Sequence, residues 1–316
     1  LKYFLLIVVV SIAVSLAWLR WESSQPRDAW WTERQGQVAA VDAEVSTTAY
    51  GQQSLSVRLT SDSGLAVFFR VVRSAASSRP QPVLIVLGGH RTGSDAVELF
   101  GDVGQHAVVG IDYPYDGPQK VKGALPIVKT IPKARQAFLD TVPAVSLVVD
   151  WLVEQSWVDR RRIVLIGASL GVPFATTATG RDQRIAGLSL VHGAADNRQW
   201  LQTQVARRIE TEILHYPLAT VLHWLAYGPV LDTREHIARV SPRPVLIIGA
   251  KEDERTPAGQ SELLFEAAGE PRRLRFTAGQ HIQPNRKEII AELLRIADEE
   301  LVFLSDRATD ASDADR

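Results

Sequence analysis

Hydrophobic and polar positions fall along this chain in blocks whose period changes several times. The first block is apolar on every side: Tyr3 to Leu19 holds only two serines among apolar residues, with Lys2 before it and Arg20 after it. At 17 residues it sits at the short limit for a membrane-spanning helix and near the upper limit for a signal-peptide core. The pattern then turns polar, and residues 21–44 read as a juxtamembrane linker. The two-residue period of strands takes over at Ser54 to Thr60 and Leu65 to Arg73; the intervening Ser61-Asp62-Ser63-Gly64 predicts an antiparallel hairpin. Short apolar runs bounded by turn residues follow at 83–87, 106–112, 163–166, 185–191 and 244–249, with an alternating run at 274–277. Runs that are apolar on both faces suit strands inside a parallel sheet.

Helical spacing separates these runs. Ala134 to Glu154 carries it, and a long helical pattern starts near Pro284. Alternating strands and helices predict an α/β chain with a mainly parallel, right-handed, doubly wound sheet of about eight strands. The excursion 197–240 is too long for a simple crossover and reads as a small helical cap carrying Trp200, Tyr216, His223, Trp224 and Tyr227. Residues 305–316, rich in Asp and small polar types, read as a disordered tail. The expected division is an anchor or signal segment at 1–20, a linker at 21–44, a main domain at 45–304 and the tail.

The candidate chemistry lies where strands end. Gly167-Ala168-Ser169-Leu170-Gly171 follows the run Ile163 to Ile166 and precedes a helix-compatible stretch. A serine on such a sharp strand-to-helix turn keeps its hydroxyl exposed, and the flanking glycines let the backbone bend tightly. Asp253 falls in the loop after the strand 244–249, and His281 in the loop after 274–277. Three strand ends of one parallel sheet bring distant residues to one edge, and the chain order serine, acid, histidine is the order an acyl-transfer triad needs there. The loop Asp112 to Gly117 leaves a strand at that same edge, so Tyr113 and Tyr115 are candidates to line a substrate pocket.

With these residues the chain resembles the α/β-hydrolase family, in its serine esterase-like form, over residues 45–304. The resemblance implies Ser169 as nucleophile, Asp253 as acid and His281 as base. The family's acid loop, an Asp followed three and four residues on by Thr-Pro, is matched by Asp253, Thr256 and Pro257. One extra residue after Gly249 keeps Glu252 as an alternative, and Asp196 is another because some members take the acid from the preceding strand end. An oxyanion hole is implied at the Leu170 N–H and in the loop Gly88-Gly89-His90, with His90 the first donor and Gly89 the second. Family members often carry His-Gly-Gly where this chain has Gly88-Gly89-His90. The outline is also similar to that of dienelactone hydrolases, but those use a cysteine, and this chain has none.

Composition narrows the function class. A formal net charge of -1 offers no electrostatic footprint for nucleic acid. The absence of cysteine excludes disulfides and Cys metal sites, the remaining histidines lack metal-ligand spacing, and no cofactor is expected. The absence of methionine, position 1 included, points either to a start codon read literally as leucine or to a trimmed chain. At the amino terminus, Ser15-Leu16-Ala17 satisfies a small-x-small cleavage rule, whereas Trp18, Trp21, Trp30 and Trp31 suit a membrane interface and favour an uncleaved anchor. The expectation is a serine hydrolase, foremost a carboxylesterase, acting on a small ester or lipid-like substrate. It would be membrane-anchored or exported, in a bacterial cell envelope with the catalytic domain outside the cytoplasm. The contrasting readings are a membrane-tethered binding module of the same fold and a cofactor-free haloperoxidase or perhydrolase.

Overall fold

The computed structural model describes residues 2–89, 92–118, 121 and 123–313. Nine strands form one sheet: β1 (Val38–Thr47), β2 (Gln53–Ser61), β3 (Ala66–Arg73), β4 (Gln81–Leu87), β5 (Ala107–Ile111), β6 (Val158–Ala168), β7 (Gly187–Val191), β8 (Val245–Ala250) and β9 (Arg272–Thr277). Their order is β1-β2-β3-β5-β4-β6-β7-β8-β9. Pairing is antiparallel from β1 through β3 to β5, and parallel from β5 to β9. The chain leaves β4 for β5 on one side and returns to β6 on the other. Winding therefore reverses at β4, and a crevice opens at the carboxyl ends beside it.

Burial explains which strands the pattern revealed. Every residue of β4, β5 and β7 is buried, because helices cover both faces of the parallel part. One face packs α3 (Ala124–Val153), α4 (Val172–Arg181), α7 (Thr233–Ala238) and α8 (Gln260–Ala267). The other packs the short 3-10 helix Gly93–Phe100 and α9 (Lys287–Asp313). The sheet exceeds the expected eight strands by β1, which lies partly in the stretch read as a linker. All of β1 except Val38 is exposed, so its side chains carry no core signal; backbone pairing to β2 holds it. Exposed Asp42 and Glu44 place charges along this edge, which disfavours pairing with another chain.

The same stretch contains a second ordered element, α2 (Asp28–Gln35), fastened to α3 by a specific vacancy in that helix. Pro143 has no N–H to give the Leu139 carbonyl one turn earlier. The indole Nε1–H of Trp31 donates to that carbonyl instead, at 3.0 Å, with Trp31 itself only 2% exposed. Arg34 adds two hydrogen bonds to Asp140, at 2.8 and 2.9 Å, and one to the Ser63 carbonyl. Helix α3 begins ahead of the expected Ala134, and α9 runs on to Asp313, into the stretch read as a tail. Apolar Ile290, Leu293, Ile296 and Leu304 dock α9 on the sheet, and a helix already nucleated extends residue by residue past its last packed turn.

Helix α1 (Lys2–Ser23) differs from all of these. Its 18-residue apolar window has a mean hydropathy of 2.2 and none of it is buried against the protein. The less apolar window in α3, with a mean hydropathy of 1.4, is 78% buried, as a core helix should be.

Replacing Trp31 with Ala is expected to cost about 3–5 kcal/mol, read from urea unfolding, because the site loses both packing and the donor for Leu139. A loss below about 1 kcal/mol, as expected for an exposed linker residue, would contradict this docking.

Candidate active site

At the end of β6 the chain turns through a 3-10 segment, Ser169–Gly171, straight into α4. Ser169 takes φ +54, a left-handed conformation that costs a non-glycine residue on the order of 1–3 kcal/mol. The neighbouring glycines are dictated by space. A Cβ at Gly167 would come 2.6 Å from the Ala175 Cβ, and one at Gly171 would come 1.9 Å from the Leu87 carbonyl oxygen. The turn is thus pressed between α4 and the end of β4, and Ser169 projects from it.

Asp253 follows β8 and His281 follows β9, and the loops bring them to Ser169. His281 Nε2 lies 2.8 Å from Ser169 Oγ, and Nδ1 lies 2.9 and 3.0 Å from the Asp253 carboxylate oxygens. With Nδ1 facing a carboxylate, the ring proton belongs on Nδ1 and leaves the Nε2 lone pair for the serine hydroxyl. Burial pushes the Asp253 carboxyl up, but the hydrogen bond and charge of His281 and the N–H groups of Thr256 and Arg255 outweigh it and hold it below the usual range. Neither alternative acid is the hydrogen-bond partner of His281 Nδ1, and Glu252 is exposed. Asp196 accepts from the Gln199 N–H and caps the helix that follows, while the Glu252 backbone N–H donates to Gly279.

Two residues of this network are not singled out by the sequence pattern as site residues. His192, just after β7 at φ +50, is 1% exposed, and its ring bridges the strand-end loops. Its Nδ1 accepts from the Ile282 N–H at 2.8 Å, Nε2 lies 2.9 Å from Thr277 Oγ1, and its carbonyl accepts from Thr256. Burial, then the nearby His281, pushes the His192 ring down to about 4, so it stays neutral and keeps an acceptor for Ile282. Glu254 accepts from the His281 N–H at 2.9 Å and pairs with Arg286 at 3.0 Å. The available signal was position: His192 immediately follows a buried run at the sheet edge already holding Ser169.

The loop after β4 sits beside the turn that carries Ser169, the nucleophile elbow, since Leu87 pairs with Gly167. Gly89 is in that loop and its carbonyl accepts from the Thr92 N–H; Leu170 is in the elbow turn; His90 lies outside the described residues. Tyr113 and Tyr115 are not among the residues lining the neighbouring cavity. The Tyr113 hydroxyl donates to the Gly88 carbonyl at 2.7 Å, its ring meets Phe174 at 5.7 Å, and burial pushes its ionisation well up. It braces the loop from behind. Tyr115 turns toward Pro118.

A cavity of about 440 Å³ opens at Ser169. Its walls come from α3, α4 and two further helices of the 197–240 excursion, α5 (Asn197–Ala206) and α6 (His215–Leu225), and include Phe138, Phe174, Trp200 and Leu222. Its polar groups are few. Arg135 is turned away to the Trp224 and Leu225 carbonyls, and His223 Nδ1 has no hydrogen-bond partner among the described residues.

The neutral His192 makes stability depend on pH. A histidine free in the unfolded chain protonates near pH 6.5, so below that value the unfolded state binds more protons and stability falls as pH drops toward about 4. Going from pH 7 to pH 5 is expected to cost about 2 kcal/mol at this residue. A His192→Asn variant should show a correspondingly shallower decline by thermal unfolding; an unchanged slope would contradict the assignment.

Residues 139–290 match the prolyl oligopeptidase family. No curated protein sequence matches. Among solved structures, the acetyl xylan esterase from Paenibacillus sp. R4 superposes with a TM-score of 0.60 at 16% identity, over 85% of this chain and 93% of that one. Acetyl xylan esterase 1 from Thermoanaerobacterium sp. JW/SL YS485 gives 0.57 at 15% identity, over 87% and 96%. A cold-adapted esterase from an Arctic intertidal metagenomic library, in a PEG-bound complex, gives 0.57 at 16%, over 82% and 98%. Sheet order and these superpositions together give this chain the α/β-hydrolase fold, and over residues 139–290 it is similar to the prolyl oligopeptidase family.

Proposed function

We propose that the protein is a carboxylesterase that works by two-step acyl transfer, with Ser169 as nucleophile, His281 as base and Asp253 orienting the ring. The observation that carries this reading is the unbroken hydrogen-bonded path from Asp253 through His281 to Ser169, ending at the wall of an apolar cavity. His281 Nε2 takes the serine proton as Oγ attacks an ester carbonyl. The leaving alcohol receives that proton, and water, activated by the same ring, releases the acyl group. The Leu170 N–H, with Gly89 or His90, supplies the donors for the developing oxyanion, each worth roughly 2.7–4 kcal/mol in well-studied cases.

The cavity favours an ester with an apolar acyl group. A sugar or a peptide backbone needs several hydrogen-bonding partners on binding, and these walls offer few unspent ones. The acetyl xylan esterases share the fold with this chain at 15–16% identity. Peptide cleavage, the chemistry in the name of the matching family, is the second reading, and the same scarcity of polar groups weighs against it.

Helix α1 completes the proposal as a membrane anchor. Its 22 residues span about 33 Å, matching a hydrocarbon core of about 30 Å, with exposed Trp18 and Trp21 at one end, where indole rings settle at an interface.

With p-nitrophenyl esters, kcat/KM is expected to rise by about fourfold per added acyl methylene until the cavity is filled. Ser169→Ala and His281→Ala should each abolish turnover, with losses on the order of a millionfold in kcat, and Asp253→Asn should lose about ten-thousandfold. A flat chain-length series would contradict the apolar acyl site. Full turnover by Ser169→Ala would contradict the mechanism.

A further inference from the structure

The apolar helix and the apolar cavity share a wall. Glu22, in the last turn of α1, pairs with Arg27 and with Arg135, and accepts a hydrogen bond from the Tyr227 hydroxyl at 3.0 Å. Arg135 lines the cavity, lies 4.2 Å over the Tyr227 ring and donates to the carbonyls of Trp224 and Leu225 at the end of α6. One charge cluster therefore ties the end of α1 to the cavity wall and to α6, and α1 touches α6 directly.

The turn leading into α6 and α6 itself expose apolar residues to an unusual degree. Ile213 is 82% exposed, and Leu214, Tyr216 and Leu222 are also exposed; Leu222 belongs at the same time to the cavity lining. Arg198 stacks on Tyr216 at 5.1 Å, and exposed Arg207 and Arg208 stand in the preceding turn, followed by exposed Glu210 and Glu212. Apolar side chains backed by cations, placed where an all-apolar helix meets the body, suit the boundary between acyl chains and headgroups.

We propose that α1 and the segment 212–225 form one membrane-embedded face, so that the cavity leading to Ser169 opens toward lipid and receives an acyl ester resident in the bilayer. The entry half of this inference rests on the acyl-transfer reading; the placement half does not. If α1 crosses the bilayer, α6 is held at its surface by the Glu22 cluster, and Ile213 and Leu214 dip among the acyl chains. A long-chain ester then passes from lipid into an apolar cavity without crossing water. Its ester group is delivered to the serine while its polar remainder stays near the interfacial tryptophans.

The chain has no cysteine, so single-cysteine labels report one position each. The full-length protein in phosphatidylcholine nanodiscs would carry nitrobenzoxadiazole at Ile213→Cys or at Val302→Cys, an exposed site on α9 across the sheet. Lipids brominated in the acyl chain are expected to quench the label at 213 and leave the label at 302 unaffected. Equal response at both positions overturns the proposal. So does shielding at 213 without lipid quenching, which would mean that a second copy of the chain covers the patch. In parallel, Ile213→Asp should lower hydrolysis of a long-chain ester dissolved in the bilayer by roughly tenfold, while hydrolysis of a water-soluble butyrate ester stays unchanged. An equal fall for both esters overturns entry from the bilayer. If wild type hydrolyses neither, the acyl-transfer reading and the entry route fall together, and quenching alone decides the membrane face.

Discussion

A side chain on Gly171 would put its first carbon 1.9 Å from the Leu87 carbonyl oxygen, so the turn carrying Ser169 is jammed against the end of the neighbouring strand. That closeness follows from the parallel pairing of β4 and β6, which sets Leu87 beside Gly167. It fixes the start of α4, forces Ser169 to φ +54 and sets the hydroxyl clear of the helix. The strain is held because the buried strands on either side and α4 beneath leave the turn no other path. The loops after β8 and β9 then need only reach the same edge to meet it.

Around this turn, polar groups are spent on holding one another and apolar groups on shaping space. His192, Thr256, Thr277 and Glu254 are all engaged by the loops that carry Asp253 and His281, which leaves the Nε2 of His281 aimed at Ser169. Tyr113 secures the Gly88 loop from behind. Beyond Ser169 the walls turn apolar, and the Glu22 cluster couples them to α1. Fixed polar groups opening on an apolar space are the arrangement that the proposed acyl transfer would use.

How much of this could be read beforehand depended on where the determining interaction lay. The elbow was legible because its glycines are local requirements of a local turn, and the parallel strands because burial on both faces leaves unbroken apolar runs. Asp253 and His281 were legible as strand-end residues once those runs were assigned. Strand β1 was not, because an exposed edge strand is held by its backbone and writes nothing into its side chains. Helix α2 was not, because its anchor is a carbonyl that Pro143 leaves unpaired, 108 residues from Trp31. His192 was not, because its partners are backbone and hydroxyl groups of loops that meet only in the fold. Tyr113 and Tyr115 were assigned to the correct edge, but which way a ring turns there depends on Gly88 and Phe174 packing, which no local pattern encodes.

Covalent capture tests most directly whether Ser169 is the nucleophile of the proposed acyl transfer. The full-length protein would be treated with an alkyl fluorophosphonate, then digested and mapped by mass spectrometry. The expected result is one phosphonyl adduct per chain, on the peptide bearing Ser169, slowed by orders of magnitude in His281→Ala. A folded protein that takes up no adduct, or takes it up at another residue, would contradict the assignment of Ser169 as nucleophile.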